Sequence, residues 1–206
     1  TGKMKSREGT VVDADELMEE MVATAAHHTK ELGKIEGFTE AQAEELYEIL
    51  GLGALKYFLL KVDPKKRMLF NPQESIEFQG NTGPFIQYSH ARIAAILRKA
   101  DQIEVNLSAE AFANLSGLAE SEANLIQYLN DFERKIKQAA EDYSPAILAQ
   151  YLFDLAKEYN RFYAELPIFH EKDSQLQSFR VALSLQTAKT IKRGMSLIGI
   201  QVPERM

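Results

Sequence analysis

From Gly80 to the last residue, apolar side chains recur at helical spacing with only short interruptions, and a chain patterned this way packs helix on helix. The pattern predicts helices over residues 85–102, 109–115, 121–141, 145–166 and 174–197. Ser144-Pro145 supplies an N-cap and a first-turn proline, Leu166-Pro167 ends the helix so begun, and Gly199 fits a C-cap. Long helices on short connections fold as an all-α antiparallel up-and-down bundle. On the helix over 145–166, Phe153, Ala156, Tyr159, Asn160 and Tyr163 share one face, which makes that face either core or contact surface.

The first third predicts a smaller helical unit. Asp13 suits the N-cap of a helix running to Lys30, with Leu17, Met21, Val22 and Ala25 as its apolar stripe. Thr39 and Gln42 have the spacing of a capping box and open a helix over 40–50. Gly51 and Gly53 break the pattern there, and an apolar helix over 54–61 follows until Asp63-Pro64 stops it. A short helix is expected over 72–78, started by Pro72, and the Gly80-Asn-Thr-Gly-Pro84 cluster marks the boundary between the two units.

Composition narrows the function. With 45% hydrophobic residues and 6 prolines among 206 residues, the chain can bury a sizeable core. It has no cysteine, which excludes disulfides, thiolate metal sites and thiol redox chemistry, and agrees with a reducing cytoplasm. No apolar run approaches the roughly 20 residues of a membrane-spanning helix, and the first residues have no apolar signal core, so a soluble protein off the membrane is expected. The net charge of −6 argues against a generic nucleic-acid binder and against DNA. Its distribution is uneven: residues 1–63 carry 13 acidic and 7 basic side chains, residues 144–206 carry 6 and 8. A local RNA-facing surface near the C-terminal end is compatible with the overall sign. His27-His28 does not read as a metal site, because neighbours on a helix point about 100° apart and no third ligand is nearby.

Three strings in order carry a resemblance. The first is Lys3-Met-Lys-Ser-Arg-Glu-Gly9, the second Gly80-Asn-Thr-Gly-Pro-Phe-Ile-Gln-Tyr-Ser-His-Ala-Arg92, and the third the segment from Thr187 to Val202-Pro-Glu-Arg-Met206. Together they resemble the C-terminal third of the arginyl-tRNA synthetases, which are class I aminoacyl-tRNA synthetases. The resemblance implies three parts: 1–12 as the end of a catalytic domain, 13–80 as a helical connector near the tRNA stem, and 81–206 as an anticodon-binding helical bundle.

In that family the first string is a mobile signature loop that closes over Mg-ATP, where a cation stabilises the departing pyrophosphate. Its carry-over places ATP contacts at Lys3, Met4, Lys5 and Ser6, with the cation open among Lys3, Lys5 and Arg7. Lys5, Ser6 and Arg7 depart from the usual Lys-Met-Ser-Lys-Ser form. In the second string, His90 and Arg92 either face RNA or substrate or are hydrogen-bonded across the junction. From the third, the family places a methionine and a tyrosine beside the anticodon, which falls here on Met206 and on Tyr159, with Tyr163 as competitor. Lys192 and Arg193 would contact phosphate.

The resemblance implies a monomeric cytoplasmic ligase that joins arginine to tRNA-Arg with ATP, and a stretch that neither binds ATP nor activates arginine without the rest of that enzyme. Two readings stand beside it: a free-standing tRNA-binding module, with salt-sensitive RNA binding, and a helical scaffold for a protein partner, with a large exposed apolar patch.

Overall fold

A computed structural model describes residues 13–206 apart from Lys34, Glu104 and Asn114. The described residues are all-α: α1 Ala14–Glu31, α2 Glu40–Leu60, α3 Pro72–Ser75, α4 Gly83–Ala100, α5 Ala109–Phe112, α6 Glu120–Asn130, α7 Phe132–Glu141, α8 Pro145–Glu165 and α9 Ser174–Leu197. Asp13 caps α1 by accepting the Asp15 N–H at 2.8 Å. Thr39 and Gln42 form the expected reciprocal box at the start of α2. Gly199, at φ +72, lets the chain turn out of α9 while the Ile200 N–H returns to the Met195 carbonyl at 2.9 Å.

Gly51 and Gly53 do not break a helix, contrary to their reading as punctuation: α2 runs through both. A Cβ at Gly51 would lie 2.8 Å from the Met21 carbonyl oxygen and from the Val22 backbone, and one at Gly53 would collide with the Gln87 side chain. Both glycines are there for close packing of α1 and α4 against α2, and that packing outweighs their poor helix propensity. The helix expected over 72–78 is a single turn, closed by the Ser75 hydroxyl donating to the Pro72 carbonyl at 2.7 Å. Helix α4 starts two residues earlier than expected, because Thr82 caps it by accepting the Phe85 N–H at 3.3 Å. The helix over 121–141 is divided at Asp131, whose N–H is shared between the Gln127 and Tyr128 carbonyls and whose carboxylate takes Arg134 through two bonds of 2.6 and 3.0 Å.

The apolar side chains form two cores. The larger lies between α4, α6, α8 and α9, with Leu125, Leu152, Leu155, Tyr159, Phe162 and Ile191 fully buried. The smaller lies between α1, α2 and α3, around Met21, Leu46, Leu50 and Ile76. Helix α2 serves both, since Tyr57 near its end enters the larger core and places its hydroxyl 2.5 Å from Asn81 Oδ1 and 3.0 Å from the Ala149 carbonyl.

Helix α8 runs antiparallel to α6, with Tyr151 beside Tyr128 and Arg161 near Glu120, and antiparallel to α9, with Tyr159 on Ser184 and Leu152 against Gly194. Helix α4 lies along α8 in the same direction, Phe85 beside Phe153 and Arg92 beside Asn160. Arg180 on α9 is 5% exposed and bonds Glu122 Oε1 on α6 and Glu171 Oε2 before α9, both at 2.8 Å, which ties the far end of the bundle together.

Candidate functional site

After α9, residues 199–206 turn back across α2 and α4 as an irregular strap. Irregular backbone carries polar groups that need partners, and here side chains provide them. Lys56 donates to the Gly199 carbonyl at 2.9 Å, Gln87 to the Gln201 carbonyl at 2.8 Å and Arg98 to the Glu204 carbonyl at 2.9 Å. Gln87 also bonds the Ile49 carbonyl of α2 at 2.9 Å. His90 is buried with Nδ1 2.9 Å from the Pro203 carbonyl, so Nδ1 carries the proton. Burial pulls the His90 pKa below its usual value, opposed by that bond and by the Glu204 carboxylate, while Lys192 lowers it further. His90 therefore holds the strap and does not face a ligand.

The strap ends beside a cavity of about 290 Å³ lined by Glu36, Phe38, Tyr88, Arg92, Arg98, Arg205 and Met206. Met206 is half-buried and packs on the smaller core. The Arg205 guanidinium lies over the Phe38 ring at 4.8 Å, and that of Arg92 over the Tyr88 ring at 4.9 Å. Arg92 also donates to Asn160 Oδ1 at 2.7 Å. Among the described residues, no carboxylate lies within ion-pair distance of Arg92, Arg98 or Arg205; the Glu204 carboxylate is bonded to Lys192 at 2.7 Å. Guanidinium groups on aromatic faces beside a thioether suit stacked bases and phosphate oxygens.

A larger hollow of about 920 Å³ lies between α6, α7 and α8. It is lined by Asp63, Asp131 and Asp154 with Lys135 and several amides, so its charge opposes a polyanion.

The structure separates the side chains that the sequence singled out. Met206 lines the arginine cavity. Tyr159 is fully buried, its hydroxyl 2.9 Å from Ser184 Oγ, and burial raises its pKa well above the usual phenol range. It presents no exposed ring face. Tyr163, one turn on, is 37% exposed and stacks on Tyr159 with ring centroids 6.5 Å apart. Lys192 is paired with Glu204, and Arg193 is exposed with no ion pair among the described residues. His27 pairs with Glu31 at 3.3 Å and His28 stacks on Phe78, and among the described residues no group of three metal-ligating side chains is assembled. Lys3, Met4, Lys5, Ser6 and Arg7 lie outside the described residues.

Tyr88, Arg98 and Arg205 were not singled out from the sequence. Tyr88, Arg92, Ala95 and Arg98 follow one another at three- and four-residue spacing on α4, and that run of basic and aromatic residues on one face was the available signal.

A family model described as the DALR anticodon binding domain matches residues 86–206. The chain is 57% identical over its whole length to an arginine-tRNA ligase of Amoebophilus asiaticus, covering 35% of that protein, and 55% identical to one of Bacteroides thetaiotaomicron, covering 34%. It thus spans about a third of the length of the curated relatives it matches. Among solved structures, the arginyl-tRNA synthetase of Thermus thermophilus superposes with a TM-score of 0.85 at 34% identity, over 96% of this chain and 33% of that one.

Proposed function

This chain belongs to the DALR anticodon binding domain family, and on that premise we propose that it is the anticodon-holding part of an arginine-tRNA ligase, with the cavity beside Met206 as the place where the anticodon loop is read. The observation that carries the location is the set of three arginines, Arg92, Arg98 and Arg205, held by neutral partners in a chain whose net charge is −6. Three cations against the single carboxylate of Glu36 in the lining favour a polyanion. Met206 offers an apolar face for a splayed-out base, and Tyr163, supported from behind by Tyr159, offers a second platform. Lys192 and Arg193 on α9 would contact the backbone and position the loop.

In this reading 81–206 is the RNA-binding bundle and 13–80 the connector towards a catalytic domain whose end is 1–12. The longer enzyme, a cytoplasmic monomer, would use arginine, Mg-ATP and tRNA-Arg, with Lys3, Met4, Lys5, Ser6 and Arg7 holding the triphosphate.

The test is binding of a labelled tRNA-Arg transcript at two salt concentrations, against a competitor altered at the central anticodon base. The expected result is preference for the unaltered anticodon, lost when Met206 is removed; stacking of this kind contributes about 1–3 kcal/mol per base. Equal binding of both transcripts would overturn the anticodon reading, and indifference to RNA would favour a protein-binding scaffold.

A further inference from the structure

We propose that Asn160 is a positioning residue that fixes the guanidinium of Arg92 so that one edge is presented to acceptor atoms of RNA. The inference rests on the reading of the arginine cavity given above. Arginine has five donors in a rigid planar fork, and its selectivity depends on where that plane is held. The Tyr88 ring, 4.9 Å from the guanidinium carbon, supports the group from one side. Its rotation is set chiefly by Asn160, whose Oδ1 accepts from Nη1 at 2.7 Å, with a longer bond of 3.4 Å from Nη2 to the Tyr88 hydroxyl.

The Asn160 amide is itself locked. Its Nδ2 donates to Ser89 Oγ at 2.8 Å and to the Ala156 carbonyl at 2.9 Å, while the Ser89 hydroxyl donates to the Phe85 carbonyl at 2.9 Å. Turning the amide over would set Oδ1 against the Ala156 carbonyl and Nδ2 against a cation, so Oδ1 stays towards Arg92. The relay from Phe85 through Ser89 and Asn160 thereby anchors a cavity-lining cation to two helix backbones. Asn160 contributes no charge. A carboxylate in its place would hold Arg92 equally well and cancel the attraction for RNA.

The ligand chemistry is a pair of hydrogen-bond acceptors, supplied either by phosphate oxygens or by the edge of an anticodon base. Binding of the tRNA-Arg transcript and of the central-base variant is measured across a salt series for the 206-residue chain and for Arg92→Ala, Asn160→Ala, Ser89→Ala and Arg92→Ala/Asn160→Ala, with thermal unfolding of each. Asn160→Ala is expected to weaken binding about tenfold, the size of a lost charge-assisted bond. The double variant should bind no more weakly than Arg92→Ala within about twofold, since Asn160 acts only through Arg92. Ser89→Ala should weaken binding in the same sense and less.

The two acceptor sources give different signatures. A phosphate contact lowers the salt slope by about one and weakens both transcripts alike, whereas a base contact leaves the slope and removes the preference between them.

Additive losses in the double variant would overturn the inference, as would unchanged affinity in Asn160→Ala alongside weakened binding in Arg92→Ala. A lowered melting temperature with unchanged affinity would make Asn160 a purely structural residue and overturn it equally. If the unmodified chain prefers the correct anticodon and Arg92→Ala retains full affinity and preference, the positioning inference falls while the anticodon reading stands. If the unmodified chain shows no preference, both fall.

Discussion

Arg180 meets two carboxylates, whereas Arg92, Arg98 and Arg205 meet an amide, a carbonyl and a ring. The first arrangement lies inside the bundle and neutralises its charge on the spot. The second holds each guanidinium just as specifically but sets no carboxylate among the described residues in direct contact with it at a concave surface, where Glu36 is the acidic residue of the lining. The same side chain is thus a structural tie at one end of the molecule and a cavity-lining group at the other. The chemistry of its neighbours decides which, because a carboxylate satisfies both hydrogen bonds and charge while an amide or carbonyl satisfies only the first.

The sharpest way to break this contrast is to remove each arginine. Arg180→Ala leaves Glu122 buried and unpaired and should destabilise by about 3–5 kcal/mol, seen as a lower denaturant midpoint. Replacing Arg180 and Glu122 together by leucine-sized apolar residues should recover much of that loss, and failure to do so would mean that the tie has no apolar substitute.

Arg92→Ala should show the opposite profile: a loss of about 1–3 kcal/mol in tRNA binding, read by titration, with a much smaller change in stability. A variant that loses folding and binding in equal measure would erase the distinction. Ala95→Glu sharpens it, since Ala95 is exposed, lines the cavity and stands three residues from both Arg92 and Arg98. Supplying that carboxylate should make the site resemble the surroundings of Arg180. The expected outcome is binding weakened by about 1 kcal/mol at low salt, less at high salt, and stability altered by no more than about 0.5 kcal/mol.

The smallest effect concerns the strap. His90 has a folded pKa below its unfolded value, so between the two the unfolded chain binds more protons. The associated stability is complete above the unfolded value of about 6.5 and declines as pH falls through the folded value. Denaturant midpoints measured from pH 7 down to pH 5 should fall less for His90→Gln than for the unmodified chain. An unchanged pH dependence in that variant would remove His90 from the account.

Helices bounded by local chemistry were legible in the sequence. Gly199 closes α9 and Pro145 starts α8, because glycine caps and first-turn prolines act within a few residues of themselves, whereas the Ser144 hydroxyl makes no capping bond. Gly51 and Gly53 were misread because their reason lies on α1 and α4, distant in sequence and adjacent only after folding. The division at Asp131 escaped because the apolar pattern continues across it.

The candidate site divides along the same line. Met206 and Arg92 stand in recognisable strings. Periodicity alone does not distinguish the buried Tyr159 from the half-exposed Tyr163 on the same helix face. The gathering of Phe38, Arg92, Arg98 and Arg205 exists only because the strap brings residue 205 back to α4 and to the loop before α2.

Helix α2 also has a mechanical consequence. Broken at Gly51 and Gly53, it would have left the two cores hanging on a pliant joint. Uninterrupted, its 21 residues form a beam about 30 Å long that seats Leu46, Leu50, Ala54 and Leu55 in the smaller core and Tyr57, near its C-terminal end, in the larger. A continuous beam packed on α4 through Gly53 and Gln87 couples the two cores, so a tilt imposed on one is carried to the other as leverage.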